Sequence, residues 1–403
     1  MSCTTANLDQ AAPAQTLSSN AMTIFAAAAA ITFSASAAAP TPLYRHYQEV
    51  FGLAPATLTF VFAAYVFSLL AALLTIGSLS DYIGRRPVIF GALLLNMAAQ
   101  AMFITADSGA VLIAARIVQG FATGAAITTL GATVLDTNRR TGPVINSITA
   151  FTGLAVGALG AGALTAFAPD PAQLVYAVLF VLSAGFALLL WLMPETAAGK
   201  PGALASLRPQ IHVPAQAWPV LVQVSPVNIA AWALGGFNLS LMPALVRAAT
   251  GLTSPFIGAL VVGAVMGTAA VAVLAMRNST PDKSLGIGAP ALALGVALIL
   301  AAVHLRNAPA MLAGASVAGF GFGAAFSGLF RKLLPTAAGE RAGLLSAFYV
   351  QSYLAFAVPA ILAGLAAPRI GLTATATIYG AAVILLAVTS LAIPRFSRAR
   401  VTA

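Results

Sequence analysis

Long apolar runs alternate with short polar segments along most of this 403-residue chain. Each run approaches the roughly 20 residues that an α-helix needs to cross the hydrocarbon core of a bilayer. Twelve such runs can be counted, so the pattern predicts an all-α membrane protein with twelve transmembrane helices. The predicted helices cover residues 21–44, 57–77, 87–106, 110–134, 143–168, 173–194, 220–246, 255–276, 285–304, 309–330, 343–366 and 373–393.

A polar, proline-containing segment at residues 195–219 separates the first six predicted helices from the last six. We therefore expect two six-helix bundles, at residues 21–194 and 220–394, joined by a central cytoplasmic loop. Residues 1–20 lack the basic region of a cleavable signal peptide and are expected to form a disordered cytoplasmic tail. Residues 395–403 are expected to form a basic cytoplasmic tail.

The composition and the placement of charge support a membrane protein. Hydrophobic residues make up 60% of the chain and charged residues 7%, which excludes an ordinary soluble protein. The net charge of +10 could indicate a nucleic-acid partner, but most of the 19 Lys and Arg residues fall in alternate loops and the C-terminal tail. The opposite loops contain Arg45, Arg247, Arg306 and Arg369. This asymmetry orients the chain with both termini in the cytoplasm and requires no nucleic acid.

The two predicted bundles share short sequences at a constant offset of 199 residues. Residues 118–126 (VQGFATGAA) match residues 317–325 (VAGFGFGAA), and residues 52–53 match residues 251–252. Internal repeats occur in many transporters and place the substrate site between the repeats, near the middle of the bilayer. Coincidence between Gly- and Ala-rich helices is the alternative.

A compact charged turn with the sequence GSLSDYIGRRP joins predicted helices 2 and 3. Gly77 and Gly84 allow a tight backbone path, and Asp81 provides a carboxylate beside Arg85 and Arg86. The pattern G-x-L-x-D-x-x-G-R-R, placed between the second and third spans, resembles the signature loop of the major facilitator superfamily of transporters. Two sets of six helices with a central loop agree with that superfamily's usual plan, so the resemblance covers nearly the whole chain.

The resemblance implies that the turn carries a charge network that holds the cytoplasmic ends of the two bundles together in one conformation. An acid at the end of helix 4 usually joins this network, and Asp136 occupies that place here. Carboxylates and guanidinium groups interact strongly near a low-dielectric boundary, so such a latch would bias a two-state equilibrium. The alternative is that Asp81, Arg85 and Arg86 merely fix the topology of the chain.

A second pattern, R-x-x-Q-G at Arg116, Gln119 and Gly120, also resembles the superfamily, in its fourth helix. Arg116 is the one charged residue placed clearly inside a predicted span, and its repeat counterpart is Ala315. Because a charge within the membrane is costly, we expect Arg116 to act in the cavity or in coupling. Gln119 would lie on the same helix face and hold the guanidinium. Alternatively, the side chain of Arg116 snorkels to the outer interface.

Glycine recurs along the predicted helices at spacings that allow close packing. Gly153 and Gly157 lie in a run that resembles the glycine-rich helix-5 motif of the drug:proton antiporter branch, although Ala158 stands where that motif has proline. The alternative is that they serve helix packing through small-xxx-small faces. A packing role is also expected for the glycines shared by the two repeats, Gly120, Gly124, Gly319 and Gly323.

All nine acidic residues fall in tails, loops or helix ends. A carboxylate in the cavity is the usual proton carrier of a transporter and would also attract cations, so we expect neutral or anionic organic substrates. The scattered histidines and the single cysteine predict no metal site, and we expect no cofactor. In the superfamily that the chain resembles, helices 1, 4, 7 and 10 usually line the cavity. Besides Arg116 and Gln119, this resemblance implies as cavity candidates Thr123, Asn228, Trp232 and Asn238, followed by Thr41, Thr128 and Ser327, and Tyr349, Gln351 and Tyr353 of helix 11 are added to this set.

Together these features predict a monomeric secondary active transporter in a bacterial inner membrane that moves a small molecule by alternating access. Protons are the family's default coupling ion. Proton-coupled efflux, an antiport, is our first hypothesis, and proton-coupled uptake of an organic acid or sugar is the alternative. A membrane-embedded enzyme would need paired carboxylates or an activated nucleophile within the spans. A sensor would need an output domain, for which the longest polar segment is too short.

Overall fold

The structure, a computed structural model, describes residues 12–337 and 339–401. Within these residues it contains sixteen α-helices, two short 3-10 helices at Leu190–Leu192 and Leu334–Ala337, and no β-strand. The α-helices are α1 (Ala12–Ala38), α2 (Pro40–Phe51), α3 (Pro55–Ile76), α4 (Ser80–Ile83), α5 (Arg85–Ile104), α6 (Gly109–Thr137), α7 (Gly142–Phe167), α8 (Pro171–Leu189), α9 (Ala203–Ser206), α10 (Trp218–Ser240), α11 (Met242–Thr250), α12 (Pro255–Ala275), α13 (Pro281–His304), α14 (Ala308–Leu333), α15 (Arg341–Ile370) and α16 (Leu372–Val401).

Twelve segments of the described chain are long and apolar enough to cross a membrane. The first span combines α1 and α2. The next five are α3, α5, α6, α7 and α8, and the last six are α10, α12, α13, α14, α15 and α16. The prediction of an all-α membrane protein with six spans on each side of a central segment is therefore confirmed.

The N-terminal helix is longer than the hydropathy pattern predicted. We expected residues 1–20 to be disordered, but α1 includes the second half of this stretch, and residues 1–11 lie outside the described part of the chain. Two hydrogen bonds to the end of α6 anchor this part of the helix. The hydroxyl of Ser19 donates to the Thr137 carbonyl at 3.0 Å, and that of Thr23 donates to the Thr137 hydroxyl at 2.7 Å.

Three further helix ends differ from the prediction. The helix α16 continues to Val401, so the tail predicted at residues 395–403 is helical up to that residue, and the last two residues lie outside the described part. Predicted helices 1 and 7 ended too early, because α2 and α11 continue them to Phe51 and Thr250. The polar residues of these two extensions lower the local hydropathy without ending the helix.

The first span of each half is broken once by proline. One break lies directly before Pro40, and the other lies two residues before Pro243. Proline has no N–H to donate to the carbonyl four residues earlier, so each break leaves a backbone acceptor that needs another partner. The segments after the breaks end at Gly52 (φ 62°) and Gly251 (φ 74°), which lie 199 residues apart and share a left-handed conformation.

Glycines allow the helices within each bundle to approach closely. At each of six positions an added methyl group would overlap the backbone of a neighbouring helix. These close approaches occur at Gly120 and Gly124 against α3, at Gly153 and Gly157 against α1, and at Gly319 and Gly323 against α12. The α3–α6 and α12–α14 crossings thus use the same glycine pair of the repeat, which is consistent with a two-repeat organisation.

The two bundles meet where α7 packs on α12 and where α3 packs on α15. We call the end of the molecule that carries the turn at residues 77–87 the turn end, and the opposite end the far end. Toward the far end, a methyl group on Gly162 would overlap Ala259, whereas one on Gly267, nearer the turn end, would approach Ala155 only to 4.0 Å. The helices α7 and α12 therefore diverge toward the turn end.

Candidate functional site

Arg116 lies in the interior of the N-terminal bundle, with 1% of its surface exposed. Its Nη1 donates to the Ala37 carbonyl at 3.1 Å and to Gln119 Oε1 at 2.7 Å. Its Nη2 donates to the Tyr44 hydroxyl at 3.0 Å, and the ring centroid of Tyr65 lies 4.6 Å from the guanidinium carbon. The side chain therefore does not snorkel, because its guanidinium is held inside the bundle.

The proline break in the first span explains these contacts. Because Pro40 cannot donate to the Ser36 carbonyl, this oxygen accepts a hydrogen bond from Gln119 Nε2 instead, at 2.9 Å. Arg116 donates to the carbonyl of the next residue, Ala37. A buried carbonyl without a partner costs about 1–3 kcal/mol. Gln119 thus replaces the backbone hydrogen bond that is lost between α1 and α2, and Arg116 adds a second bond from α6 to the same segment.

A second group of polar side chains secures the same segment, and the sequence analysis missed it. The hydroxyl of Ser36 accepts hydrogen bonds from Gln100 Nε2 at 3.1 Å and from Asn96 Nδ2 at 3.4 Å, and Asn96 Nδ2 also donates to Ser183 Oγ at 3.0 Å. All four side chains are buried. Two amides spaced four residues apart in an apolar span were the signal that could have identified this group.

The structure brings Asp81, Arg85 and Asp136 together at the turn end. Arg85 Nη1 bonds the Asp81 carboxylate and the Ser80 hydroxyl, and Arg85 Nε lies 3.1 Å from Asp136 Oδ2. The arginine side chain is 8% exposed, whereas those of Asp81 and Asp136 are 45% and 33% exposed. The guanidinium is therefore enclosed between two carboxylates that remain in contact with solvent.

Glu195, directly after the sixth span, completes this cluster and was not predicted to do so. Its carboxylate accepts hydrogen bonds from the backbone N–H groups of Arg85 and Arg86, at 2.8 and 2.9 Å, and so caps the first turn of α5. Partial burial raises the pKa of Glu195, but the backbone hydrogen bonds outweigh it, so the net shift is downward. Its position as the first acid after an apolar span was the available signal.

The two glycines of the turn differ in backbone conformation. Gly84 has a φ of 98°, and a methyl group there would lie 2.8 Å from Glu195 Oε2, so the position requires glycine on both grounds. Gly77 has ordinary helical angles, with φ at −59°. Beside them, Arg86 Nη2 donates to the Trp191 carbonyl at 3.1 Å, and its guanidinium lies 5.4 Å from the Trp191 ring centroid.

In this conformation the contacts of Arg85 join parts of the N-terminal bundle. The central segment attaches to this bundle through Ser78 Oγ, which donates to the Ser206 carbonyl at 3.2 Å. A few residues later it attaches to the C-terminal bundle, where the N–H of His212 donates to the Gly343 carbonyl at 3.4 Å. The central segment, rather than the charge cluster, thus links the two bundles at the turn end.

The turn end of the C-terminal bundle is organised by Arg331, which the sequence analysis did not single out. Its Nη2 donates to the Met276 carbonyl at 3.0 Å and to Ser284 Oγ at 2.8 Å, and its Nη1 donates to the Arg277 carbonyl at 3.2 Å. The last carbonyls of a helix have no partner within that helix. Arg331 therefore caps α12 from the neighbouring α14 without using a carboxylate.

Aromatic side chains from both bundles meet in the middle of the molecule. The ring centroid of Trp232 lies 5.0 Å from that of Tyr353 and 5.9 Å from that of Phe356, and Phe356 stacks on Phe62 of α3 at 5.2 Å. The indole N–H of Trp232 is buried and has no hydrogen-bond acceptor in the described part of the chain. It is therefore a buried donor whose hydrogen-bonding capacity is not used by the described residues.

The series of rings continues from Tyr353 toward the turn end. Tyr349 lies 6.1 Å from Tyr353 and 6.3 Å from Phe330, and Phe330 lies 4.8 Å from Phe326. Phe326 in turn contacts Phe151 of α7 edge to face, at 5.4 Å. We call these rings, together with Trp232, Phe356 and Phe62, the aromatic band. The aromatic band lies between the two bundles, at the level along the helix axes where α7 and α12 diverge.

Three of the predicted cavity residues lie between helices and do not line an open space here. Thr123, Asn228 and Asn238 are fully buried. Thr123 Oγ1 donates to a carbonyl of its own helix, Asn228 Nδ2 donates to Ser352 Oγ at 2.9 Å, and Asn238 Nδ2 donates to the Val262 carbonyl at 3.2 Å. Their partners fix α10 against α15 and α12.

The buried polar groups of the described residues include two arginines, Arg85 and Arg116, but no Asp or Glu. No group of three or more His, Cys, Asp or Glu side chains in the described part of the chain is placed to hold a metal ion. The aromatic band therefore has buried positive charge in its own part of the molecule but no buried carboxylate among the described residues.

Comparison with known proteins gives a consistent result. The sequence model of the Major Facilitator Superfamily matches residues 24–350. The fold is similar to that of the human organic anion transporter MFSD10 (TETRAN), with a TM-score of 0.68, and the comparison covers 92% of this chain and 99% of that chain at 18% sequence identity. The search of curated proteins finds no match.

Proposed function

The chain belongs to the major facilitator superfamily, and on this premise we propose that it carries a small neutral or anionic organic molecule across a bacterial inner membrane by alternating access. The aromatic band, without a buried carboxylate among the described residues, is the observation that carries the proposal. The substrate would bind against these rings, between the two bundles. Its apolar part would replace water on ring faces and so gain affinity.

The charges near the band favour anions over cations. Arg116 is buried beside Tyr65, and its charge is balanced by dipoles rather than by a carboxylate. A positive charge in a low-dielectric region acts over a long distance. The unpaired indole N–H of Trp232 provides a donor for a carboxylate, sulfonate or carbonyl group. A cation would find no buried carboxylate counterion among the described residues.

The human neighbour in fold is described as an organic anion transporter. At 18% identity this likeness establishes the fold, and it supports the substrate class only by analogy. The buried charges of this chain lead to the same class independently.

We further propose that Asp81, Arg85 and Asp136 latch the turn end, on the cytoplasmic side of the membrane, when the bundles close there. In the present conformation the bundles are closest toward the far end, so the cluster stays within its own bundle. Efflux driven by proton antiport is the direction that we propose. The likeness of the run around Gly153 and Gly157 to an antiporter motif supports it.

Transport into proteoliposomes tests the substrate class. Three probes, 2-naphthalenesulfonate, 2-naphthalenemethanol and 2-naphthylmethylammonium, share one ring system and carry one substituent that is anionic, neutral or cationic at neutral pH. We expect flux of the first two and little flux of the cation. Trp232→Ala should reduce the flux of the sulfonate about tenfold, since a stacked, hydrogen-bonded indole contributes on the order of 1–2 kcal/mol.

Trp218→Ala is the matched control, because Trp218 lies on the same helix but is 58% exposed. It should leave the flux unchanged. Equal flux of all three probes, or equal loss in the two tryptophan variants, would show that the aromatic band does not select the substrate. The same vesicles with an imposed pH gradient test coupling: antiport requires that an inward proton gradient accelerates outward movement of the probe.

A further inference from the structure

A cavity of about 290 Å³ opens at the far end of the molecule, between the two bundles. Its walls come from α2, the first turn of α3, the α10–α11 break, the first turn of α12 and the end of α15. Apolar side chains such as Leu58, Val246 and Leu252 line much of it, and Arg45 and Arg247 contribute charged groups. This volume is near the lower limit for pockets that hold small organic ligands.

The cavity is separate from the aromatic band. Beneath it, Thr41 Oγ1 donates to the Leu239 carbonyl at 2.8 Å, and this bond joins the two bundles. A methyl group on Gly364 of α15 would overlap Thr59 of α3, so these helices also touch there. A molecule in the cavity would therefore be cut off from the substrate site proposed above as long as the far ends stay together.

The cationic groups of the cavity are only partly compensated. No Asp or Glu is among the lining residues. Arg45 pairs with Glu49 at 2.5 Å on the exposed side of α2. Arg247 forms no salt bridge with a described residue. Partial burial, and then the charge of Arg45, lower the pKa of Arg247, and the Glu49 carboxylate offsets only part of this shift.

We propose that this far-end cavity is a second binding site, which takes an amphipathic organic anion from the solution on that side. The anionic group would pair with Arg247, and its apolar body would lie against Leu58 and Leu252. An arginine fork is well suited to a carboxylate or sulfonate. Gln48 and Ser254 at the same cavity provide further donors.

Occupancy of this site has a consequence for transport, which rests on the proposed alternating access. The walls come from both bundles, so the cavity is complete only while the far ends are together. A ligand that contacts both walls binds this conformation more tightly than the opposite one and shifts the population toward it. An anion added on the far side would therefore inhibit transport without competing at the aromatic band.

The test is calorimetric titration of the full-length protein with 2-naphthalenesulfonate, in nanodiscs of zwitterionic lipid. The Trp232→Ala chain is used as the background, so that the aromatic band contributes less. We expect Arg247→Gln to weaken binding about tenfold or more. Ala367→Trp, which fills the cavity without changing charge, should abolish it. Arg306→Gln removes an exposed arginine of the far end that does not line the cavity, and it should change nothing.

The outcomes separate this site from the proposed function. Unchanged affinity in both Arg247→Gln and Ala367→Trp would overturn the proposal, even if transport is normal. If anionic phosphatidylglycerol in the nanodisc competes with the sulfonate while far-side sulfonate fails to inhibit transport, the site belongs to a lipid headgroup and the proposal is also overturned. Loss of binding in the two variants, with flux retained in Arg247→Gln, supports it. A failure of the aromatic band to select substrate would appear only in the Trp232 comparison.

Discussion

Each of the two proline breaks of the molecule frees one backbone carbonyl, but the two carbonyls find their hydrogen-bond donors in different ways. In the N-terminal bundle, Pro40 frees the Ser36 carbonyl, and Gln119 of the same bundle donates to it. In the C-terminal bundle, Pro243 frees the Leu239 carbonyl, and Thr41 of the opposite bundle donates to it. The first break is therefore closed permanently, whereas the second has its partner only while the far ends are together.

This difference extends to the helices behind the breaks. Arg116 and Gln119 of the fourth span correspond, at the repeat offset, to Ala315 and Ala318 of the tenth. The first pair fills its bundle with a polar network. The second pair lets the ninth and tenth spans approach so closely that a methyl group on Gly295 would overlap the Ala318 backbone. One repeat is thus fixed by hydrogen bonds to side chains and the other by close contact of backbones.

Removal of Arg116 should break the first arrangement most severely. Arg116→Leu deprives the Ala37 carbonyl, Gln119 and Tyr44 of their shared donor, and we expect a loss of about 3 kcal/mol in the free energy of unfolding. Unfolding in mixed micelles with increasing denaturing detergent measures this loss. Arg306→Leu, at an exposed position, should cost less than about 0.5 kcal/mol. Equal losses would mean that the buried network does not stabilise the bundle.

Gln119→Leu should cost about 2 kcal/mol, because the Ser36 carbonyl is left without a donor. The double variant with Pro40→Ala tests the reason for this loss. Alanine restores an N–H four residues after Ser36, so part of the lost stability should return. A double-mutant cycle on the same unfolding assay measures the coupling. Strict additivity of the two changes would show that the amide does not compensate for the proline.

Thr41→Val should act on the second break with a smaller effect. The lost hydrogen bond contributes about 1 kcal/mol to the conformation with the far ends together, which corresponds to roughly a fivefold change in the ratio of the two states. The reaction rate of Ala244→Cys, in the far-end cavity, with an impermeant maleimide reports this ratio in a Cys3→Ser background. Thr41→Ser keeps the hydroxyl and is the control. If serine and valine variants react at the same rate, the bond does not hold the far ends.

The smallest effect is expected from the cap on α5, and it depends on pH. The folded-state pKa of Glu195 is lowered, so its stabilisation is complete above the unfolded value of about 4.3 and is lost as the pH falls through the folded value. Glu195→Gln should lower stability by at most about 1 kcal/mol near pH 7, since the group is exposed. The deficit against wild type should shrink as the pH falls below about 4.3.

Melting temperatures of both chains over this pH range measure the effect. Glu340→Gln serves as the control, because Glu340 pairs with His212 on the surface of the other bundle. A constant difference between wild type and Glu195→Gln at every pH would contradict an ionised cap. In the C-terminal bundle, Arg331 donates to backbone carbonyls and a hydroxyl, none of which titrates near this pH range. The stability that its contacts with α12 provide should therefore not change with pH over this range.

The sequence predicted the twelve spans because a bilayer imposes one length and one polarity on each of them. The resemblance to the superfamily's signature loop also predicted that Asp81, Arg85 and Asp136 belong together. The sequence did not predict which way Asn228 and Asn238 face. Their helix is apolar on every side, so periodicity carries no information about its orientation.

Other parts of the site depend on contacts between distant residues. The bond from Gln119 to the Ser36 carbonyl joins residues 83 apart, and its acceptor is a backbone atom that every residue has. The sequence does not predict the role of Arg331 either, because its partners are mostly backbone carbonyls, which every residue has. The position of Glu195 directly after the sixth span suggests a helix-end contact. The sequence does not show that this contact is with the first turn of α5.

The two attachments of the central segment set a mechanical limit on the molecule. Ser206 is bound to one bundle and His212 to the other, with six peptide links between them. A fully stretched chain of that length reaches about 20 Å. While both hydrogen bonds hold, the segment limits how far apart the turn ends of the two bundles can move, to about 20 Å between its two attachment points. Inserting a few residues between Ser206 and His212 would allow the turn ends to separate further, without changing any residue that contacts the substrate.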